Sequence, residues 1–302
     1  MNIIKWDGNA VSTPGIVSGL GMDFYHSDCC AGPSISSSGL RTIENSSLAH
    51  YWATSYLNPK RIEVGEKAHF SIGKAAAHLI GGEAEFYSKF AVRPAEFDSW
   101  RTKAAQEWRD GQLAKGLTVI TPDDIETIRG MADTLAAHPT IRAGILQGLV
   151  EHSIFWQDAE TGVWLKARPD VIPVDANMLV DLKTCASAHP QTVRRAIADY
   201  GYHMQLGLAH EGMMATTGRE MTDHVLVFVE KSAPYCVNIK PIPTEDIELG
   251  RRQLRRAIRK FANALETNEW PGYEDDEVPA HLPEFYRRNL LLEADAGLLP
   301  EL

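Results

Sequence analysis

A chain of 302 residues with a formal charge of −10 can form one large domain with appendages. Its acidity excludes indiscriminate coating of DNA, but not a DNA enzyme that works through a local basic groove. Hydrophobic residues make up 44% and charged residues 23%, enough for a real core.

No apolar run reaches the roughly 18 residues that mark a membrane span. The opening residues lack the basic start, apolar middle and small-residue exit of a secretory signal, so the expected compartment is the cytoplasm, with no membrane partner. Cys29, Cys30, Cys185 and Cys236 form no CxxC pair and read as free thiols.

Residues 1–30, rich in glycine and polar side chains, predict an extended N-terminal arm. Next comes GPSISSSGLRTIENSSLAHY, where Leu40, Ile43, Leu48 and Trp52 follow helical spacing and predict two short helices, the second starting at residues 45–47. The serines, Ser36 and Ser38 among them, act as helix caps or as a cradle for a terminal phosphate. Residues 68–90 predict a helix with Gly73 and the alanines at 75–77 allowing close packing. His78, in its middle, is either a satisfied histidine or a metal ligand. Residues 93–115 read as loop plus helix. Thr121-Pro122-Asp123-Asp124 then opens a helix with Ile125, Ile128, Met131, Ala132 and Leu135 on its apolar stripe. Pro139 ends it, and a short segment over 141–149 leads into Glu151.

Strands are expected at 153–157 and 163–168, joined by a hairpin loop over 158–162, and at 177–183, apolar enough to be central. A helix over 192–214, broken near Gly201, precedes strands at 224–230 and 235–241. The helix over 244–267, capped by Thr244, buries Ile247, Leu254, Ile258, Phe261 and Leu265. Between 251 and 260 it carries six cations and no acid. Arg252, Arg255 and Arg259 therefore form either a solvated face or a phosphate-binding surface. Residues 31–270 make the expected main domain, and 271–302 an acidic tail or docking segment.

No Gly-rich phosphate loop, GxSxG elbow or HExxH pair occurs. The strongest constellation is Glu151, Asp170 and Asp181 at strand ends, with Lys183 on the same face as Asp181. Carboxylates of this kind grip a divalent cation, the Leu182 carbonyl can add a backbone ligand, and Lys183 can stabilise transition-state charge or activate water. The bland alternative is a surface salt bridge between Asp181 and Lys183.

Pro169-Asp170 followed by Asp181-Leu182-Lys183 resembles the PD-(D/E)XK nuclease signature. The GKAAAH stretch ending at His78 and the Tyr202-His203-Met204-Gln205 segment resemble motifs of RecB-like nucleases, and the serine-rich N-terminal stretch resembles RecE-type phage exonucleases of the lambda-exonuclease kind. This resemblance implies an α/β (α+β) fold with an αβββαβ core, a mixed central sheet and added helices. It implies a Mg²⁺-dependent exonuclease, with Mn²⁺ able to substitute, that digests double-stranded DNA ends 5′ to 3′. The 3′ tails would pass to a single-strand annealing protein, and the enzyme would be a ring-shaped homo-oligomer, trimer or tetramer. His78, Glu151, Asp170 and Asp181 match the metal ligands, Lys183 the catalytic lysine and Gln205 the glutamine of a QxxxY motif. Ala209 stands where that motif has tyrosine, so Tyr202 is the candidate substitute. The cysteines do not match the iron–sulfur subgroup, and no cluster is expected. An endonuclease of restriction or repair type shares the same motifs, and a non-catalytic DNA-binding protein could share the fold.

Overall fold

The computed structural model describes residues 3–62, 75–76, 78–79, 83–174, 176–273 and 279–300. Two five-stranded mixed sheets meet at Pro169. The first has the order β1 (Ile3–Lys5), β2 (Gly15–Ser18), β7 (Ser153–Gln157), β8 (Trp164–Ala167), β3 (Ser34–Ser36). Strands β1 and β2 run parallel, as do β3 and β8, while β7 is antiparallel to both neighbours. The second has the order β12 (Val237–Pro241), β11 (Asp223–Glu230), β10 (Met178–Cys185), β9 (Val171–Ile172), β6 (Leu149–Val150), with β10 and β11 parallel and the other pairs antiparallel. A parallel pair, β4 (Phe90–Val92) and β5 (Thr118–Ile120), stands apart.

Strands β8 and β9 are successive pieces of one extended run. Pro169 has no amide hydrogen to give to a ladder, so pairing stops on one side of it and resumes with new partners on the other. The expected mixed α/β architecture is present, with its sheet divided at the Pro169-Asp170 pair.

The helices are α1 (Met22–Tyr25), α2 (Ser37–Asn45), α3 (Leu48–Thr54), α4 (Glu83–Lys89), α5 (Lys103–Leu113), α6 (Pro122–Ala137), α7 (Pro190–Asp199), α8 (Tyr202–Thr217), α9 (Thr244–Thr267) and α10 (Glu284–Asp295). Alternation along β10 decides what it faces. Leu179 joins the main core with Leu206, Leu208 and Met213 of α8 and Leu254, Ile258 and Phe261 of α9. Val180 and Leu182 point the other way, into a second core with Phe86, Ile128, Met131 and Leu135. Asp181 and Lys183 share the Leu179 side, so the sheet's own period aims them at α8.

The first thirty residues differ from the expected extended arm. Strands β1 and β2 extend the first sheet, and Val17, Leu20, Tyr25, Cys29 and Cys30 pack on its outer face against Phe155 and Trp164. The physical reason is long-range pairing: three or four residues each carry too little pattern alone, and β2 gains burial only against β7, with β1 then pairing to β2. Helices α2 and α3 lie where expected, the latter capped by Ser47, which accepts from the His50 amide. Ser36 occupies the α2 cap position without a side-chain cap bond. Thr121 and Asp124 form a reciprocal capping box on α6. Thr244 is the first helical residue of α9 rather than its cap; Pro243 holds that place, and Glu245 and Asp246 lie in the first turn. The segment before Glu151 contains a wide helical turn, Ile141–Ile145, and then β6. Of the expected 68–90 helix, Gly73 lies outside the described residues, while Ala75, Ala76, His78 and Leu79 are helical. The acidic tail contributes α10, which buries no residue. No helix among the described residues is long and apolar enough to cross a membrane.

Candidate active site

The site is built at the seam between the two sheets. Asp170 follows Pro169 at the break, and its Oδ2 accepts a hydrogen bond from the Leu182 amide at 2.8 Å. This bond ties the kink directly to the middle of β10. One residue earlier, Asp181 is 2% exposed, and its Oδ2 meets the Lys183 ammonium as an ion pair. That oxygen is buried, with the Lys183 ammonium as its partner.

Gln205, in the first turn of α8, holds both groups. Its Nε2 donates to Asp181 Oδ1 at 2.8 Å and its Oε1 accepts from Lys183 Nζ at 3.0 Å. Both ends of one carboxamide are thereby used, fixing the lysine and the aspartate at once. Tyr202, one turn earlier, places its ring 4.7 Å from Lys183 Nζ. Burial alone would depress the Lys183 amine, but the charges of Asp181 and Asp170 outweigh it and its pKa is raised. Burial raises the Tyr202 hydroxyl, against the pull of Lys183 and Arg41. Ala209, at the place of the motif tyrosine, is buried in the main core.

Glu151 begins the second half of the site. It stands just after β6 with φ 53°, a left-handed conformation that costs a residue with a side chain roughly 1 kcal/mol or more. Its amide donates to Asp170 O at 3.2 Å and its carbonyl accepts from Arg168 Nε at 2.8 Å. Arg168 also donates to Leu20 O at 2.6 Å, linking the N-terminal segment to the site. The glutamate side chain lies 3.7 Å from His78 Nε2. Lys89 Nζ sits between them, 3.2 Å from His78 Nε2 and 3.4 Å from Glu151 Oε2. His78 is 5% exposed.

A divalent cation is what the resemblance implies, and the donor chemistry suits one: an imidazole nitrogen and three carboxylates, one of them the buried Asp181. In this arrangement the carboxylates lean on two lysines, and no three His, Cys, Asp or Glu side chains among the described residues converge as a finished cage.

The structure thus gathers His78, Glu151, Asp170, Asp181, Leu182, Lys183, Tyr202 and Gln205. Ser36 and Ser38 are hydrogen-bonded to each other at 2.9 Å in a cleft of about 300 Å³ that Thr42, Tyr56 and Lys166 also line. The α9 arginines are on the far side of α8, where His203 meets Gln253 at 2.7 Å. There Arg255 pairs with Asp158 at 2.6 Å, Arg259 with Glu160 at 2.6 Å and Arg252 with Glu248 at 3.5 Å. Sequence reasoning missed Lys89, Arg168 and Arg41, the last a largely buried cation whose field acts on Asp181 and Tyr202. A lone arginine in an otherwise serine-rich stretch was the available signal for Arg41; isolated lysines and arginines such as Lys89 and Arg168 carry none.

The sequence matches the model of the PDDEXK-like domain of unknown function (DUF3799) over residues 52–278, more than half of the chain. The chain belongs to that family. The match of this PDDEXK-like chain spans every residue of the gathered site. A proposed exonuclease from Eubacterium rectale, known from a crystal structure, aligns with 89% of the chain and 97% of its own at 14% identity and a TM-score of 0.54. At that identity the likeness speaks for the fold alone. An alkaline exonuclease from Laribacter hongkongensis aligns with 66% of the chain and 97% of its own at 16% identity, but its TM-score of 0.25 is too low to bear on the argument. No curated protein matches the sequence.

Proposed function

We propose that this PDDEXK-like protein is a divalent-metal-dependent deoxyribonuclease that digests linear duplex DNA from its ends, 5′ to 3′, leaving 3′ single-stranded tails. The observation that carries the reading is the Asp181–Gln205–Lys183 clamp standing beside Asp170 at the sheet seam. A surface salt bridge would have no need of a half-buried glutamine fixing both partners.

Asp170, Asp181, Glu151, His78 and the Leu182 carbonyl would hold the cation, Mg²⁺ in the cell with Mn²⁺ as a substitute. When bound, it supplies Lewis acidity at the scissile phosphate. Lys183, whose pKa the Asp181 and Asp170 charges raise against the cost of burial, points its amino group into the site. Its part is to stabilise charge developing on the phosphate and to orient the attacking water. Gln205 and Tyr202 keep it aimed. Ser36 and Ser38 offer hydroxyls to a terminal phosphate, and Arg252, Arg255 and Arg259 add phosphate-backbone contacts. The 3′-tailed product would suit a single-strand annealing protein, and a ring-shaped trimer or tetramer in the cytoplasm would keep the enzyme on its DNA.

Linear duplex labelled at either the 5′ or the 3′ end, incubated with Mg²⁺ beside a covalently closed circle, tests reaction, polarity and end requirement together. Early release of the 5′ label with the circle intact is expected. Cutting of the circle at the same rate would instead identify an endonuclease, and no metal-dependent release from any substrate would reject the nuclease reading.

A further inference from the structure

We propose that Lys89 is an internal cation that occupies the His78–Glu151 half of the metal site in the metal-free protein and is displaced when a divalent cation enters. The inference rests on the metal-dependent reading of the site given above and deepens it.

An ammonium has three donors and no acceptor. Lys89 Nζ lies 3.2 Å from His78 Nε2 and 3.4 Å from Glu151 Oε2, so both atoms face one cationic point. Both atoms are of the kind that ligate a divalent cation, an imidazole nitrogen and a carboxylate oxygen. Lys89 thus marks the spot where a cation sees two of the implied ligands.

Contrast with Lys183 separates a displaceable cation from a fixed one. The Lys183 side chain is 17% exposed and is held by Asp181, Gln205 and the Tyr202 ring. The Lys89 side chain is 41% exposed. Its backbone is the last turn of α4, anchored by Phe86 and Phe90, both buried and stacked with centroids 4.8 Å apart. The head can therefore swing into solvent while the stem stays put. Charge points the same way. With Arg168 and Arg41 also facing these carboxylates, the cluster already carries four cations against Glu151, Asp170 and Asp181, so an entering divalent cation is favoured by the departure of Lys89, the more exposed of the two lysines.

The test is Mn²⁺ binding to the full chain without DNA, by isothermal titration and by loss of the free-ion paramagnetic signal. Wild type is compared with Lys89→Met, Lys89→Arg and Asp170→Asn, and circular dichroism in EDTA confirms that each variant is folded. Removing the competitor should tighten Mn²⁺ binding roughly fivefold in Lys89→Met, the factor an exposed ion pair of about 1 kcal/mol corresponds to. Lys89→Arg, which keeps the charge, should bind like wild type. Unchanged or weaker binding by Lys89→Met, beside a wild type whose binding Asp170→Asn reduces, would overturn the role of Lys89 alone. Absence of Mn²⁺ binding by the wild type would overturn the metal-dependent reading and this inference with it.

Discussion

Gln205 gives the site its most specific residue-scale consequence. The resemblance assigns it to the helix that meets a DNA end, yet in the folded chain its carboxamide is spent on Asp181 and Lys183. Gln205→Ala should therefore lower kcat about 10- to 100-fold, the usual cost of losing a partner that orients ligands, with KM for duplex little changed. Lys183→Ala should cost more, on the order of 10²- to 10³-fold in kcat, as the loss of a charge-stabilising donor does. Single-turnover and steady-state digestion of linear duplex separate the two effects. A rise in KM with kcat preserved in Gln205→Ala would return the residue to direct DNA contact.

At the scale of elements, α9 shows how a lopsided run of cations can be balanced from afar. The acids that face Arg255 and Arg259 come from the hairpin loop 97 and 99 positions upstream, and the one facing Arg256 comes from 212 positions upstream. Arg255→Ala would leave Asp158, 4% exposed at its side chain, with Thr161 alone. It should destabilise the fold by about 1–3 kcal/mol in urea titrations. Arg252 is 74% exposed and loosely paired, so Arg252→Ala should leave stability unchanged while weakening duplex binding and flattening its salt dependence by about one unit of slope. Equal salt slopes would return Arg252 to a solvated face.

The same contrast explains what the sequence made legible. Strands β7 and β10, helices α6 and α9 and the carboxylates at strand ends declared themselves through local period, caps and spacing. Strand β2, the acids opposite Arg255, Arg256 and Arg259 and the Glu151 partner of Lys89 lie more than fifty positions from what they meet, which no local window contains, and β1 follows only once β2 is placed. The division of the sheet was half legible. Pro169 was visible as part of a motif, but its effect on the ladder follows only once β8 and β9 have different neighbours.

At the scale of the whole molecule, the fold carries a buried acid-sensitive pair. His210 on α8 and His224 on β11 stack with ring centroids 5.1 Å apart, and Nδ1 of the first lies 3.0 Å from Nε2 of the second. Burial, reinforced by His210, pushes His224 down to about 4. The unfolded chain therefore takes up a proton near pH 6.5 that the folded chain refuses until about pH 4. Stability should be full above pH 6.5 and fall between pH 6.5 and 4, by at most roughly 1.4 kcal/mol per pH unit for this one proton. Thermal melts from pH 7.5 to 5 should show that loss, and His224→Gln should shrink it. A pH slope identical in the variant would move the acid sensitivity elsewhere.

Glu151 serves two masters. Its carboxylate belongs to the site, while its backbone sits at φ 53°, where asparagine or glycine would be at ease. Glu151→Asn should therefore raise the melting temperature while abolishing digestion, a gain of about 1 kcal/mol bought from function. Selection for heat tolerance alone would erode this position early, and selection for activity would restore it. A library sorted under each pressure in turn would register that conflict as opposite enrichment at a single codon.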